Sequence, residues 1–161
     1  MVDIRVLSPK QCSSETLDAF CELVRAGGEV QPAGLSARVE RAAFLAFAHE
    51  PEGLVGVAAL KNPYQDYRAG VFKKAGSARA EDYPYELGWV YVVPAARGRS
   101  VSALLVQALF EHGAAGVYAT SRTLNTAMHR TLSRANFKVS GRPYFSAEHP
   151  GEEIALFLRP V

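Results

Sequence analysis

The segment Val92-Val93-Pro94-Ala95-Ala96-Arg97-Gly98-Arg99-Ser100-Val101-Ser102 has the composition of an anion site. It joins an aromatic and branched run, Tyr85–Val93, to a helical apolar repeat formed by Val101, Leu104, Leu105, Ala108, Leu109 and His112. A short loop that feeds a helix offers unpaired backbone N–H groups and the positive end of the helix dipole. Arg97 and Arg99 add two cations, so a pyrophosphate is the expected guest, and a solvated turn is the competing reading. No Gly-Lys-Ser/Thr follows and the three-glycine dinucleotide pattern is missing, which excludes the usual nucleotide loops. Glu86, six residues before Val92 and nominally on the same face of the strand, is a carboxylate suited to accepting a proton. Its competing reading is an edge-exposed acid at a strand start. His112 and His129 read as packed or solvated, and nothing pairs His49 and His149 into a metal site. Cys12 and Cys21 lack metal-type spacing and are expected to be reduced, packed thiols, so no metal is expected.

The elements that must position these residues are marked by apolar period and by glycine and proline. Tyr85–Val93 is predicted as a strand stopped by Pro94, followed by a helix from Val101 that Gly113 ends and by a strand at Gly116–Thr120. Such a unit favours a right-handed crossover and parallel pairing. A further helix is predicted over Leu124–Ala135, with Leu124, Ala127, Met128, Thr131, Leu132 and Ala135 on one face and Asn136 as its terminator. Upstream, Val2–Leu7 reads as a strand. A helix carrying Leu17, Phe20, Cys21 and Val24 follows, capped by Ser13 or Ser14 and closed by Gly27-Gly28. After a loop at Glu29–Gly34 and a short helix at Leu35–Arg41, the runs Ala43–His49 and Leu54–Leu60 form a hairpin about Glu50-Pro51-Glu52-Gly53. Lys61–Pro84 reads as a mobile insertion with a short helix around Tyr67–Ala75, and long insertions are often functional. Its tyrosines Tyr64, Tyr67 and Tyr83, next to Tyr85 and with Asp66, Glu81 and Asp82, hint at a cationic or aromatic-contacting ligand. Phe137–Val139, Tyr144–Phe145 and Ile154–Leu158 read as closing strands.

Placed after a Val-x-Pro strand end and before an amphipathic helix, the Arg97–Ser102 loop resembles the acetyl-CoA pyrophosphate loop of the GNAT superfamily, Arg/Gln-x-x-Gly-x-Gly/Ala. Arg97 holds the first place, and Ser100 and Ser102 stand where the two glycines usually are. Asn125–Phe137 resembles the superfamily's second signature, an Asn-initiated helix ending in Gly-Phe, with Met128 for the usual alanine and Asn136 for the glycine. The resemblance implies one domain over 1–161, with a mixed α/β sheet of six to seven strands flanked by helices and a splayed parallel strand pair holding the pantetheine arm. It further implies backbone pairing near Val92, Val93 and Pro94, pyrophosphate contacts from Arg97, Gly98, Arg99, Ser100, Val101 and Ser102, and a contact from Asn125. The activity implied is direct transfer of an acetyl group from acetyl-CoA to a small-molecule or peptide amine. The family's usual proton-donating tyrosine falls at Leu132, which cannot donate a proton and reads as core. Tyr144, Tyr91, Ser133 or water remain as donors, with Tyr144 ranked first and Glu86 assigned as base.

A chain of 161 residues, 48% hydrophobic and 21% charged, suits one globular domain. No apolar run approaches a membrane span and no signal pattern opens the chain, so a cytosolic protein without a membrane partner is expected. Net charge of +2 argues against nucleic acid. Arg122, Arg130, Arg134, Lys138 and Arg142 nevertheless keep a nucleic-acid-associated target open as an alternative, beside a non-catalytic CoA-binding module. A homodimer is the default assembly.

Overall fold

Local punctuation starts and stops most elements where the sequence predicts. The computed structural model describes residues 1–28, 30–112 and 115–161. In chain order the elements are β1 (Asp3–Leu7), α1 (Ser14–Gly27), α2 (Leu35–Glu40), β2 (Phe44–Glu50), β3 (Gly53–Lys61), α3 (Gln65–Ala75), β4 (Tyr85–Val92), α4 (Val101–Phe110), β5 (Val117–Arg122), α5 (Thr126–Arg134), β6 (Lys138–Phe145) and β7 (Glu153–Arg159). Ser13 caps α1 by accepting the Thr16 N–H, and Gly28 ends it in the left-handed conformation. Gly113, the expected stop of α4, and Glu29 lie outside the described residues.

The strands form one mixed, seven-stranded sheet in the order β1-β2-β3-β4-β5-β7-β6. The chain divides into two compact units, Met1–Asn62 with Leu87–Ala114, and Pro63–Glu86 with Ala115–Val161. In the first, β1, β2 and β3 pair antiparallel. Leu45, Phe47, Val57 and Ala59 point to one face, where Phe20, Val24, Leu35 and Val39 of α1 and α2 complete the core. The Phe20 ring meets Phe47 edge-on at 5.5 Å and Trp89 at 6.2 Å. The opposite face carries Ala46, Ala48, Gly56 and Ala58, and α4 packs against these strands. A Cβ on Gly56 would lie 3.1 Å from Leu105 Cδ1, so small residues set how closely α4 approaches.

In the second unit β7 pairs antiparallel with β5 and β6, while the start of β4 runs parallel to β5 with Tyr85 opposite Val117 and Glu86 opposite Tyr118. Helix α3 covers this sheet with Val71, Phe72 and Ala75, which pack with Tyr118 and Leu156. The Lys61–Pro84 segment is therefore a folded part of the core rather than a mobile insertion. Its weak apolar period concealed this, because only one narrow stripe of α3 is buried.

The two fragments predicted at Phe137–Val139 and Tyr144–Phe145 are one strand, β6, with a register shift between Ser140 and Tyr144. Gly141 sits at that irregularity with φ +70°, and an added Cβ would fall 2.1 Å from the Ala75 carbonyl oxygen. Gly141→Ala is therefore expected to cost at least about 2 kcal/mol in urea unfolding, combining left-handed strain with a backbone clash. A loss below about 0.5 kcal/mol would show that the turn rearranges freely.

Helix α5 also departs from the predicted face. Only Leu132 is fully buried, Leu124 is 84% exposed, and Ala127 is exposed. The apolar repeat there overstates the stripe because α5 starts at Thr126, leaving Leu124 in the preceding turn. Asn136 ends the helix at φ +68°, as its side chain permits.

Candidate active site

The loop before α4 is built from backbone geometry. A 3-10 turn at Pro94–Ala96 leads to Arg97 in extended conformation, and Gly98 (φ +81°) and Ser100 (φ +62°) then adopt left-handed conformations on either side of Arg99. Turns of this kind aim successive N–H groups at a common concavity, and the first turn of α4 adds N–H groups that have no intrahelical acceptor. Ser100 is the N-cap of α4 but makes no side-chain cap bond.

The two guanidinium groups are already anchored. Arg97 Nε donates to the Val92 carbonyl at 2.9 Å, and its head lies 5.6 Å from the Tyr91 ring centre. Arg99 Nη2 pairs with Glu50 Oε1 at 2.7 Å, and the Glu50 side chain is only 13% exposed. Protein groups thus orient both cations, and Glu50 partly neutralises Arg99. Backbone groups expected to be open are likewise used. The Val93 N–H donates to Val55 O at 2.9 Å, Val92 O accepts from Arg97, and Pro94 has no N–H. Val101 is buried in the α4 core and Ser102 lies in the first turn of α4.

Within β4, Trp89 has φ +52°, a conformation that interrupts the two-residue alternation. The face assignment that linked Glu86 to Val92 by simple period does not carry across this point. Trp89 is held by Phe20 and by Lys61 Nζ, 4.6 Å from its ring centre. Tryptophan itself is an ordinary strand residue, and the sequence signal at this point is the preceding Gly88, since a glycine inside a strand run often marks a bulge.

In the second unit, Glu86 is 4% exposed, which rules out the edge-exposed reading. It stands opposite Tyr118 in the parallel register, so the two side chains share one sheet face. Tyr144, opposite Ile154 on β6, belongs to the same face, where it packs with Phe72, Tyr118 and Leu156. The two residues proposed from sequence for proton transfer, Glu86 and Tyr144, are thus brought together with a third that sequence reasoning missed. Tyr118 is 0% exposed, and its hydroxyl has no hydrogen-bond partner among the described residues. Burial, and then the charge of Glu86, pushes the Tyr118 phenol far up and the Tyr144 phenol up to about 12. Lys74 Nζ lies 5.9 Å from the Tyr144 ring centre.

Other candidates make contacts within the protein. Asn125 accepts the Met128 N–H at 3.1 Å as the N-cap of α5, so its carbonyl oxygen is engaged in its own helix. Leu132 is 0% exposed, as core. His112 Nδ1 lies 3.1 Å from Ala108 O, and His129 Nε2 lies 3.0 Å from Arg122 O. Arg122, grouped by sequence with other basic residues, is ion-paired to Glu152 at 3.2 Å. No helix among the described residues is long and apolar enough to cross a membrane.

Comparison with known proteins agrees with this architecture. The acetyltransferase (GNAT) family model matches residues 11–137. An acyl-CoA N-acyltransferase from Pseudomonas aeruginosa superposes with a TM-score of 0.70 at 14% identity, covering 99% of both chains. Escherichia coli ElaA gives 0.70 at 17% identity over 98% of this chain and 99% of its own. Salmonella typhimurium yncA, solved with its cofactor acetyl-CoA, gives 0.68 at 16% identity over 99% and 94%. No curated protein sequence matches the chain.

Proposed function

The chain belongs to the acetyltransferase (GNAT) family, and from that premise we propose that it is a cytosolic N-acetyltransferase that moves the acetyl group of acetyl-CoA directly to a small-molecule or peptide amine. The observation that supports this reading is the loop at residues 97–102, where two left-handed positions lead into the first turn of a ten-residue helix, a geometry suited to presenting N–H groups to an anion. That cradle fits a pyrophosphate because it is made of backbone donors and needs no further free cation.

Bound acetyl-CoA would supply a thioester carbonyl open to attack by an amine. Residues 97–102 hold its pyrophosphate. Glu86 accepts a proton from the ammonium form of the acceptor, leaving the lone pair needed for attack. As the new C–N bond forms and the C–S bond breaks, Tyr144 donates a proton to the departing sulfur, and the phenolate takes back the proton that the nitrogen sheds as it becomes an amide. The raised pKa of Tyr144 keeps its proton in place through neutral and mildly alkaline pH. A thiolate with a pKa of about 8.5 is a tolerable leaving group unaided, so Tyr144→Phe is expected to lower kcat only about tenfold while leaving CoA affinity intact. Unchanged turnover in steady-state assays would remove Tyr144 from this step.

The direct test is free-thiol release from acetyl-CoA with a broad amine panel, beside a calorimetric titration of CoA. Binding with turnover supports the enzyme, and absence of CoA binding overturns it. Leu132, buried where the family commonly has a tyrosine, favours one competing reading, a CoA-binding module without catalysis. That reading requires binding with no thiol release for any amine.

A further inference from the structure

Arg68 is a charge that the proton-transfer scheme does not use. It shares a stripe of α3 with Phe72 and Ala75, at helical spacing i, i+4 and i+7. Phe72 meets the Tyr118 ring edge-on at 5.4 Å and the Tyr83 ring at 5.7 Å. One turn earlier on the same stripe, Arg68 lies over the same sheet face as Tyr118. Its Nε is shielded from solvent and has no hydrogen-bond partner among the described residues, and it makes no ion pair there. A half-buried guanidinium with no carboxylate of its own is suited to a planar, two-oxygen anion from outside the chain.

The rest of the face complements that charge. Glu86, 4% exposed, stands beside Tyr118, whose unpartnered hydroxyl is fully buried. Nearer the surface, Tyr144 is half-buried and Tyr67 is 52% exposed. A negative group and a positive group over an aromatic floor match a zwitterion, with its ammonium toward Glu86 and its anion toward Arg68. Lys73 and Lys74 are exposed on α3, and Lys74 lies over the Tyr144 ring, so Arg68 is the more buried of the α3 cations.

We propose that the acceptor is an amine that also carries a carboxylate, a free amino acid or a close analogue, and that Arg68 binds that carboxylate. This rests on the acetyltransferase reading above. It concerns ground-state recognition, so Arg68 acts on KM more than on kcat.

The test measures thiol release with L-leucine, L-phenylalanine and L-methionine, each beside its amide and its decarboxylated amine. The same compounds are titrated calorimetrically onto the protein with and without CoA. The acids are expected to be preferred by at least about tenfold, the scale of a charge-assisted hydrogen bond. In Arg68→Gln that preference should vanish through KM, with CoA affinity retained, and Arg68→Lys should restore part of it. The proposal is overturned if the amides or decarboxylated amines match the acids, if Arg68→Gln weakens all three classes equally, or if no acid is bound or acetylated. Turnover with carboxylate-free amines alone would sink this inference and leave the acetyltransferase standing. Failure to bind CoA would instead sink the parent reading, while amino-acid titration would still report on Arg68.

Discussion

Glu86→Gln is expected to lower kcat about a hundredfold or more at neutral pH while leaving the CoA dissociation constant within a factor of two, the usual scale for losing a general base. The substitution keeps shape and removes only the charge, so the effect is separable from folding. If the carboxylate is the base, the acidic limb of the kcat/KM profile should disappear in the variant. A second readout follows from the same charge. Glu86 is one of the two causes that raise Tyr144 to about 12, the larger being burial. Removing the carboxylate should therefore let Tyr144 ionise at lower pH in an ultraviolet tyrosinate titration, though still above an exposed tyrosine. A variant that retains wild-type turnover and its acidic limb would exclude Glu86 from the mechanism, whatever the titration showed.

The second large effect is expected at Ser100. Its φ of +62° is a conformation in which a β-branched residue is severely strained. Ser100→Val should weaken CoA binding by about 30-fold in calorimetry, corresponding to about 2 kcal/mol of lost loop geometry. Ser100→Gly removes the strain and should bind CoA at least as well as the wild type. If valine and glycine variants bind CoA equally, the left-handed turn is not what holds the pyrophosphate. The neighbouring pair Arg99–Glu50 explains why the cradle keeps its form without a second glycine at this place, since the buried end of that ion pair ties the loop to β2.

Much of this was legible in the chain itself. Ser13, Gly28, Pro94 and Asn136 act on their own backbone or on residues within one turn, so each marks an element end without knowledge of the fold. The anion loop was legible for the same reason, as a short segment between a strand and a helix. Glu86 and Tyr144 were selected from the sequence for proton transfer. Their common face, however, rests on pairings of β4 with β5 and of β6 with β7, which join residues far apart in the chain. Tyr118 was passed over because a tyrosine in a strand is ordinary until its hydroxyl is buried. Arg68 lay in a segment whose apolar period is weak, and the sequence did not single it out.

The sequence by itself determined the order of strands and helices, the short arginine- and serine-bearing loop between β4 and α4, and the absence of a proton-donating side chain at Leu132. These follow from backbone preferences and periodicities that act over a few residues. Tertiary structure alone decided that Arg97 and Arg99 are held by protein groups, that Trp89 breaks the alternation of β4, and that Glu86, Tyr118, Tyr144 and Arg68 share one face. Each of these depends on what long-range pairing and helix packing bring against a side chain, and burial and charge compensation have no local signature.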